Sequence, residues 1–314
     1  MVRPHHNKRW RLSAGFLVGA CLIILGVVLQ LSIGSIRWSA VGWPLNAVAL
    51  AVLAVVVTAV ALRSRIPAFR FLGTPAAAVP ALSYAAALTV IMGLTRQRPD
   101  GQWLSDMLTF WPFVLVYTYV VVVLGVVVVR RLARLTGWRR DVPFLLNHLG
   151  LFIALTTGTL GHADLQRLQM WVTNNPDMAN ELSDTSLFSQ YERFATDSQG
   201  RRTELPLAIE LKRFVMDSYD DGTPRRYASE VMIYSKSTRH QYAATIDVNH
   251  PVEVDGWKIY QKDYRLTGAG EACQVSILEL VSDPWQPFVY AGIYLMIAGA
   301  VLMFVFAQGR REKP

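Results

Sequence analysis

Apolar residues in this chain gather into long unbroken runs, and the polar residues gather into one block towards the C-terminal end. Six runs have the roughly 20 residues that an α-helix needs to cross a hydrocarbon core of about 30 Å. They are residues 13–36, 44–62, 75–94, 107–129, 142–161 and 287–307. The third is rich in alanine and carries Pro80, but charge, considered below, argues for keeping it. The first is too long for the apolar core of a secretory signal and has no small-residue cleavage site after it. It is expected to stay as a span.

Five spans therefore come first, then the polar block, then a last span with a short basic tail. The expected division is a five-helix membrane domain at 1–162, a polar domain at 163–285, and a final helix with its tail at 286–314. The opening of the polar block, "ADLQRLQMWVTNNPDMANELSDTSLFSQYERFA", is expected to be mostly helical and irregular, broken at Pro176. Its remainder alternates apolar and polar residues with period two in five stretches. These are "LPLAIELKRFVMD", "RRYASEVMIYSK", "HQYAATIDVN", "WKIYQKDYR" and "ACQVSILELVS". Turn pairs separate them: Asp221-Gly222, His250-Pro251, Asp255-Gly256 and the Gly268-Ala269-Gly270 run. Short connections between strands favour an antiparallel sheet or small sandwich. The fold class is thus an α-helical integral membrane protein of about six spans, with a β-rich domain between the fifth and the sixth.

Composition agrees, with 52% hydrophobic and 17% charged residues, against about a quarter charged in a soluble domain. Cations decide the orientation, because short cytoplasmic loops retain Lys and Arg. With both termini in the cytoplasm, fifteen Lys and Arg fall on the cytoplasmic side, including Arg130, Arg131, Arg134, Arg139 and Arg140. Only Arg37, Arg96 and Arg98 fall in the two short outer loops. Deleting the third span would move the Arg130–Arg140 cluster outside. The polar block, expected on the extracytoplasmic side, carries nineteen Asp and Glu against thirteen Lys and Arg. The net charge of +8 is therefore a mark of topology, and no nucleic acid is needed to explain it.

Among six histidines, His5 and His6 lie in the N-terminal tail and His240 and His250 in the polar domain. Only His148 and His162 belong to a span, within "NHLGLFIALTTGTLGHAD". An ionisable residue inside a span is a functional candidate by default. His148 is six residues into the fifth run, about 9 Å along it and towards the cytoplasmic side. His162 comes fourteen residues later, about 21 Å on and about 40° around the helix. The two cannot ligate one metal, because trans nitrogens on one ion stand only about 4 Å apart. If His148 is an axial ligand, its counterpart must come from another chain or be another group. Alternatively, His148 hydrogen-bonds a carbonyl of a neighbouring helix, and His162 serves the interface.

Gly150, Ala154 and Gly158 form a small-residue stripe suited to close helix packing. "DVNHPVEVDGWKIYQKDY" is expected to form a hairpin with Trp257, Ile259 and Gln261 on one face. Trp285, Phe288 and Tyr290 suit an interfacial aromatic belt. Cys21 and Cys273 belong to no CxxC or CxxCH motif.

Three stretches together resemble the ResB (CcsB) family of System II cytochrome c biogenesis proteins, especially the CcsB half of fused CcsB–CcsA proteins. They are "NHLGLFIALTTGTLG", "VNHPVEVDGWKIYQKDY" and "LELVSDPWQPFVYAGIYLMIAGAVLMF". The likeness runs over roughly 144–306, and over the first four spans only apolar character matches. It implies a bacterial cytoplasmic (inner) membrane protein that works with a CcsA-type haem lyase subunit. Together they would move haem b outwards for attachment to apocytochrome c, with a thiol-reducing thioredoxin-like protein as a further partner. It also implies that His148 ligates the haem iron opposite a histidine of the partner, and leaves His162 as a second haem-binding candidate at the outer mouth. The Trp-rich haem-presenting motif of the CcsA half is absent, so the attachment chemistry is expected on the partner. The competing reading is a membrane-anchored sensory or scaffold protein without haem.

Overall fold

The computed structural model describes residues 12–63, 65–98, 103–174, 192–221, 223–266 and 273–308. The chain divides into two compact units: Met1–Asp164 with Trp285–Pro314, and Leu165–Pro284.

The first unit holds six helices long and apolar enough to cross a membrane. They are α1 (Leu12–Ile33), α2 (Leu45–Leu62), α4 (Pro75–Leu94), α5 (Trp111–Leu132), α6 (Trp138–Gly161) and α7 (Gln286–Gln308), with a short α3 (Pro67–Leu72). The protein is a multi-pass membrane protein. The alanine-rich third run is helical throughout, and Pro80 is buried within it. Helix α5 is the central element, packing on α1, α2, α4 and α6. Two expected boundaries move, each for a local reason. Residues Met107–Thr109 form a 3₁₀ turn, and α5 begins only at Trp111, where Pro112 suits the first turn and Gln30 Oε1 accepts the Trp111 N–H. Helix α6 begins four residues before the apolar run, because Asp141 supplies acceptors to its first turn (below).

Helix α6 lies along α7 with backbones in contact. A Cβ at Gly150 would stand 2.5 Å from the Gly292 carbonyl oxygen, and one at Gly292 would stand 2.7 Å from the Ala154 nitrogen. Small residues permit that approach, and dispersion over the contact replaces the hydrophobic drive that a membrane lacks. The stripe read from the sequence thus packs at Gly150 and Ala154, against Gly292. Gly158 departs from it: a Cβ there meets only Val289 Cγ2, at 3.7 Å. Asn147 Nδ2 donates to the Met296 carbonyl at 3.3 Å and adds a polar tie to the same seam.

The second unit is one eight-stranded antiparallel sheet. Its strands are β1 (Gln166–Thr173), β2 (Glu192–Thr196), β3 (Arg202–Ser218), β4 (Pro224–Ser235), β5 (Gln241–Asp247), β6 (Val252–Val254), β7 (Trp257–Leu266) and β8 (Cys273–Ser282). The spatial order is β5-β4-β3-β2-β1-β8-β7-β6. Two meanders join where β1 pairs with β8, from Gln166↔Ser282 to Thr173↔Val275. The end strands β5 and β6 follow one another in the chain, and β5 packs against both β6 and β7. The sheet is therefore nearly closed, and it is not a sandwich. Its single core takes side chains from every strand, among them Met170, Ala195, Ile209, Ile233, Ile246, Val254, Ile259 and Leu280.

The helical, irregular opening expected for the polar block is overturned where it is described. Residues 166–173 and 192–196 are strands, with alternating burial in β1. Leu168, Met170 and Val172 make a short period-two set whose full-length ladder comes from the distant β8. Pro176 and the Gly268–Gly270 turn lie outside the described residues. The Asp255-Gly256 turn forms as expected, with φ of 51° and 76° in a two-residue hairpin between Val254 and Trp257. Trp257, Ile259 and Gln261 point inwards together. Gln261 is satisfied there by Ser229 and Ser276, a closed buried polar trio.

Candidate functional site

Helix α6 carries both span histidines, and the structure keeps them apart. His148 lies in its middle, whereas His162 follows its last turn in a 3₁₀ segment, His162–Asp164. Among the described residues, no three His, Cys, Asp or Glu side chains gather where they could hold a metal ion.

Around His148 the environment is built from the ends of α5 and α6. The His148 Nδ1 atom lies 2.9 Å from the Phe144 carbonyl oxygen, one turn back in the same helix. A carbonyl only accepts, so this contact is a hydrogen bond when Nδ1 carries the proton, and in that tautomer Nε2 presents a lone pair. That is the usual state of a histidine metal ligand, with the second nitrogen fixed by a backbone carbonyl. The alternative of a bond to a neighbouring helix is not what forms, since the acceptor belongs to α6 itself. Phe144 also stacks on the imidazole, with ring centroids 3.8 Å apart and planes 22° from parallel. The Arg131 guanidinium lies over the Phe144 ring, 5.3 Å from its centroid.

Arg131 in turn pairs with Asp141, Nη2 to Oδ1 at 2.5 Å. The Asp141 side chain is 1% exposed and that of Arg131 27%. The other Asp141 oxygen accepts from the Thr136 N–H, from Thr136 Oγ1, and from the Gly137 N–H at 2.8 Å. This carboxylate gathers the link between α5 and α6, which explains the early start of α6. Neighbouring Arg130 is spent differently. Its guanidinium donates to the carbonyls of Ala61, Phe69 and Arg70, which end α2 and α3.

At the other end of α6, Asp164 accepts from the Trp43 N–H at 2.7 Å, Asn46 Nδ2 at 2.7 Å and Trp285 Nε1 at 2.6 Å. Asn46 is fully buried and also donates to the Leu160 carbonyl. Trp285 is thus a structural donor, while Phe288 and Tyr290 are exposed. Nothing in the sequence near Asp164 marks this knot, because its donors come from three separate segments. His162 lines a mostly apolar cleft of about 410 Å³ with Trp38, Phe113, Tyr117 and Thr159. Tyr117 and Thr159 are already bonded to one another, and Tyr117 also donates to the Leu155 carbonyl. His148 does not line this cleft.

The stretch with this geometry has known relatives. Residues 132–275 match the ResB-like family. The ResB-like segment runs from the last turn of α5 through α6 and into β8, so it includes Asp141, Phe144 and His148. It begins before and ends before the stretch in which the sequence resembles that family, and leaves the first four spans unmatched. "Cytochrome c biogenesis protein CcsB" of Prochlorococcus marinus is 24% identical over 139 residues, covering 44% of this chain and 28% of that protein. "Protein NrfI" of Wolinella succinogenes is 26% identical over 149 residues, covering 45% of this chain and 16% of that protein. The chain thus matches less than a third of the length of either relative. The solved structure of cytochrome c haem lyase CcmF aligns with 93% of this chain and 44% of its own, at 14% identity and a TM-score of 0.35. That likeness is too slight to argue from.

Proposed function

We propose that this protein is a haem-carrying subunit of a cytochrome c biogenesis complex. Both termini lie in the cytoplasm and the β-sheet unit lies on the extracytoplasmic side of a bacterial inner membrane. His148 Nε2 ligates the iron of haem b, and a histidine of a CcsA-type partner takes the opposite position. The observation that carries the reading is the Nδ1–Phe144 bond, which leaves Nε2 as the only metal-binding nitrogen of a membrane-depth histidine. It lies in the segment that is ResB-like, and the printed name of one relative is a cytochrome c biogenesis protein.

The chain's own contribution is binding and orientation. The carbonyl of Phe144 holds the imidazole tautomer, and the Phe144 ring restrains its plane. The second ligand comes from the partner because His162 sits about 21 Å further along α6, in a separate cleft. His162 shapes that cleft at the outer end and is a weaker haem contact. The partner carries the attachment chemistry and receives apocytochrome c, and a thioredoxin-like protein keeps the acceptor thiols reduced.

The test is co-expression with a CcsA-type partner, followed by haem measurement on the purified complex. Haem co-purifies with the wild type, and His148→Ala loses most of it. Equal haem content and an identical spectrum in the variant would refute the assignment. A membrane-anchored scaffold without haem predicts no haem in either preparation.

A further inference from the structure

Resting on that reading, we propose that Arg131 binds a carboxylate of the porphyrin whose metal His148 ligates. The chain then selects a metalloporphyrin with free acid side chains. The juxtaposition behind this is a half-buried, under-used guanidinium one aromatic ring away from the candidate ligand.

A guanidinium offers five N–H donors in a rigid fork that matches a carboxylate in two-point contact. Of these, only Nη2 of Arg131 meets an anion among the described residues, in the ion pair with Asp141 Oδ1, which makes no hydrogen bond. Its Nε is buried and bonded to nothing. Asp141 Oδ1 is likewise buried without a hydrogen bond, while two backbone N–H groups and one hydroxyl serve the second oxygen. The pair therefore fixes the direction of Arg131 without consuming its donors. Arg130, on the same helix, shows what a structural arginine looks like here, with three carbonyls on its three nitrogens. Arg134, Arg139 and Arg140 are exposed and have no such orientation. A cation with idle donors near a span is expensive unless an anion completes it. Haem supplies one, since it carries two carboxylates besides the iron. Phe144, in contact with both Arg131 and His148, keeps metal ligand and carboxylate donor in a fixed relation. A lipid phosphate offers similar acceptors, and the experiment separates the two.

The complex of full chain and partner, stripped of haem and placed in nanodiscs, is titrated with haem and with haem dimethyl ester. Soret absorbance reads binding, and the bands read axial ligation. The wild type is expected to prefer the free acid by about tenfold, the worth of one charge-assisted hydrogen bond. The R131Q/D141N pair removes both charges, so no buried carboxylate is left alone, and should bind both porphyrins equally with unchanged axial bands. If that variant does not accumulate, R131K keeps the charge without the fork, and its preference should fall to about threefold. A preference of about tenfold kept in either variant overturns the proposal. So does a wild type indifferent to esterification, which would leave Arg131 to a lipid phosphate. In both cases loss of binding of both porphyrins by His148→Ala leaves the haem assignment standing. A wild-type complex that binds neither porphyrin overturns both.

Discussion

The two ends of α6 each hold a carboxylate, buried at Asp141 and half-buried at Asp164, and they satisfy it in opposite ways. At the N-terminal end, Asp141 takes its acceptor load from residues four and five positions back and orients a cation that retains spare donors. At the C-terminal end, Asp164 takes three neutral donors from segments far apart in the chain and leaves them none to spare. One end thus sets an ion pair with an unbonded guanidinium nitrogen one aromatic ring away from a histidine. The other is a clamp. The lesson is that a carboxylate at a helix end by itself says little, and that its partners must be read for what they still have to give.

The largest expected effect that would break this comparison is in haem content. His162→Ala should keep the haem that His148→Ala loses, and equal loss in both would make the C-terminal end part of the site. Next comes stability. Asp164→Ala strands Trp285, Asn46 and the Trp43 N–H, and should cost about 3 kcal/mol in thermal unfolding of the detergent-solubilised protein. Its preference between haem and the ester should stay that of the wild type. Smaller still is a packing contrast along the same helix. Gly150→Ala pushes a methyl group to 2.5 Å from the Gly292 carbonyl and should cost about 2 kcal/mol. Gly158→Ala meets only Val289 at 3.7 Å and should stay within about 0.5 kcal/mol of wild type.

The smallest effect concerns a carboxylate of the sheet unit, the wet counterpart of both. The Arg226 hydrogen bond, at 2.7 Å, holds Asp247 below the ordinary carboxylate range, with the Val248 N–H and the nearby charges of Arg226 and His250 adding to it. A depressed value means that the folded state binds its proton less readily than the unfolded one. The stability it gives is full above the ordinary value of about 4 and drains away as the pH falls below it. Unfolding melts from pH 6 to pH 3 should show this loss, and Arg226→Ala should flatten that part of the curve.

Much of this protein was legible in its sequence, for reasons that are local. The length and continuity of an apolar run decide a span, and all six appear as helices, even the alanine-rich one with Pro80. Two positive φ angles in succession decide a tight hairpin, so Asp255-Gly256 announces its turn. A histidine within an apolar run is visible without any fold. The errors lie where the deciding partner is remote. Residues 166–173 are a strand because β8, more than a hundred residues on, offers a ladder, and near-closure of the sheet needs that same pairing. The Asp164 knot, the Gly150–Gly292 seam and the use of Arg131 beside His148 also stayed out of sight. Sequence by itself determined which segments are long and apolar enough to cross a membrane and which of them holds a histidine, because run length and side-chain type are properties of the chain. Tertiary structure alone decided which nitrogen of His148 meets a carbonyl and that Arg130, not Arg131, caps α2 and α3, because that depends on where other segments come to lie.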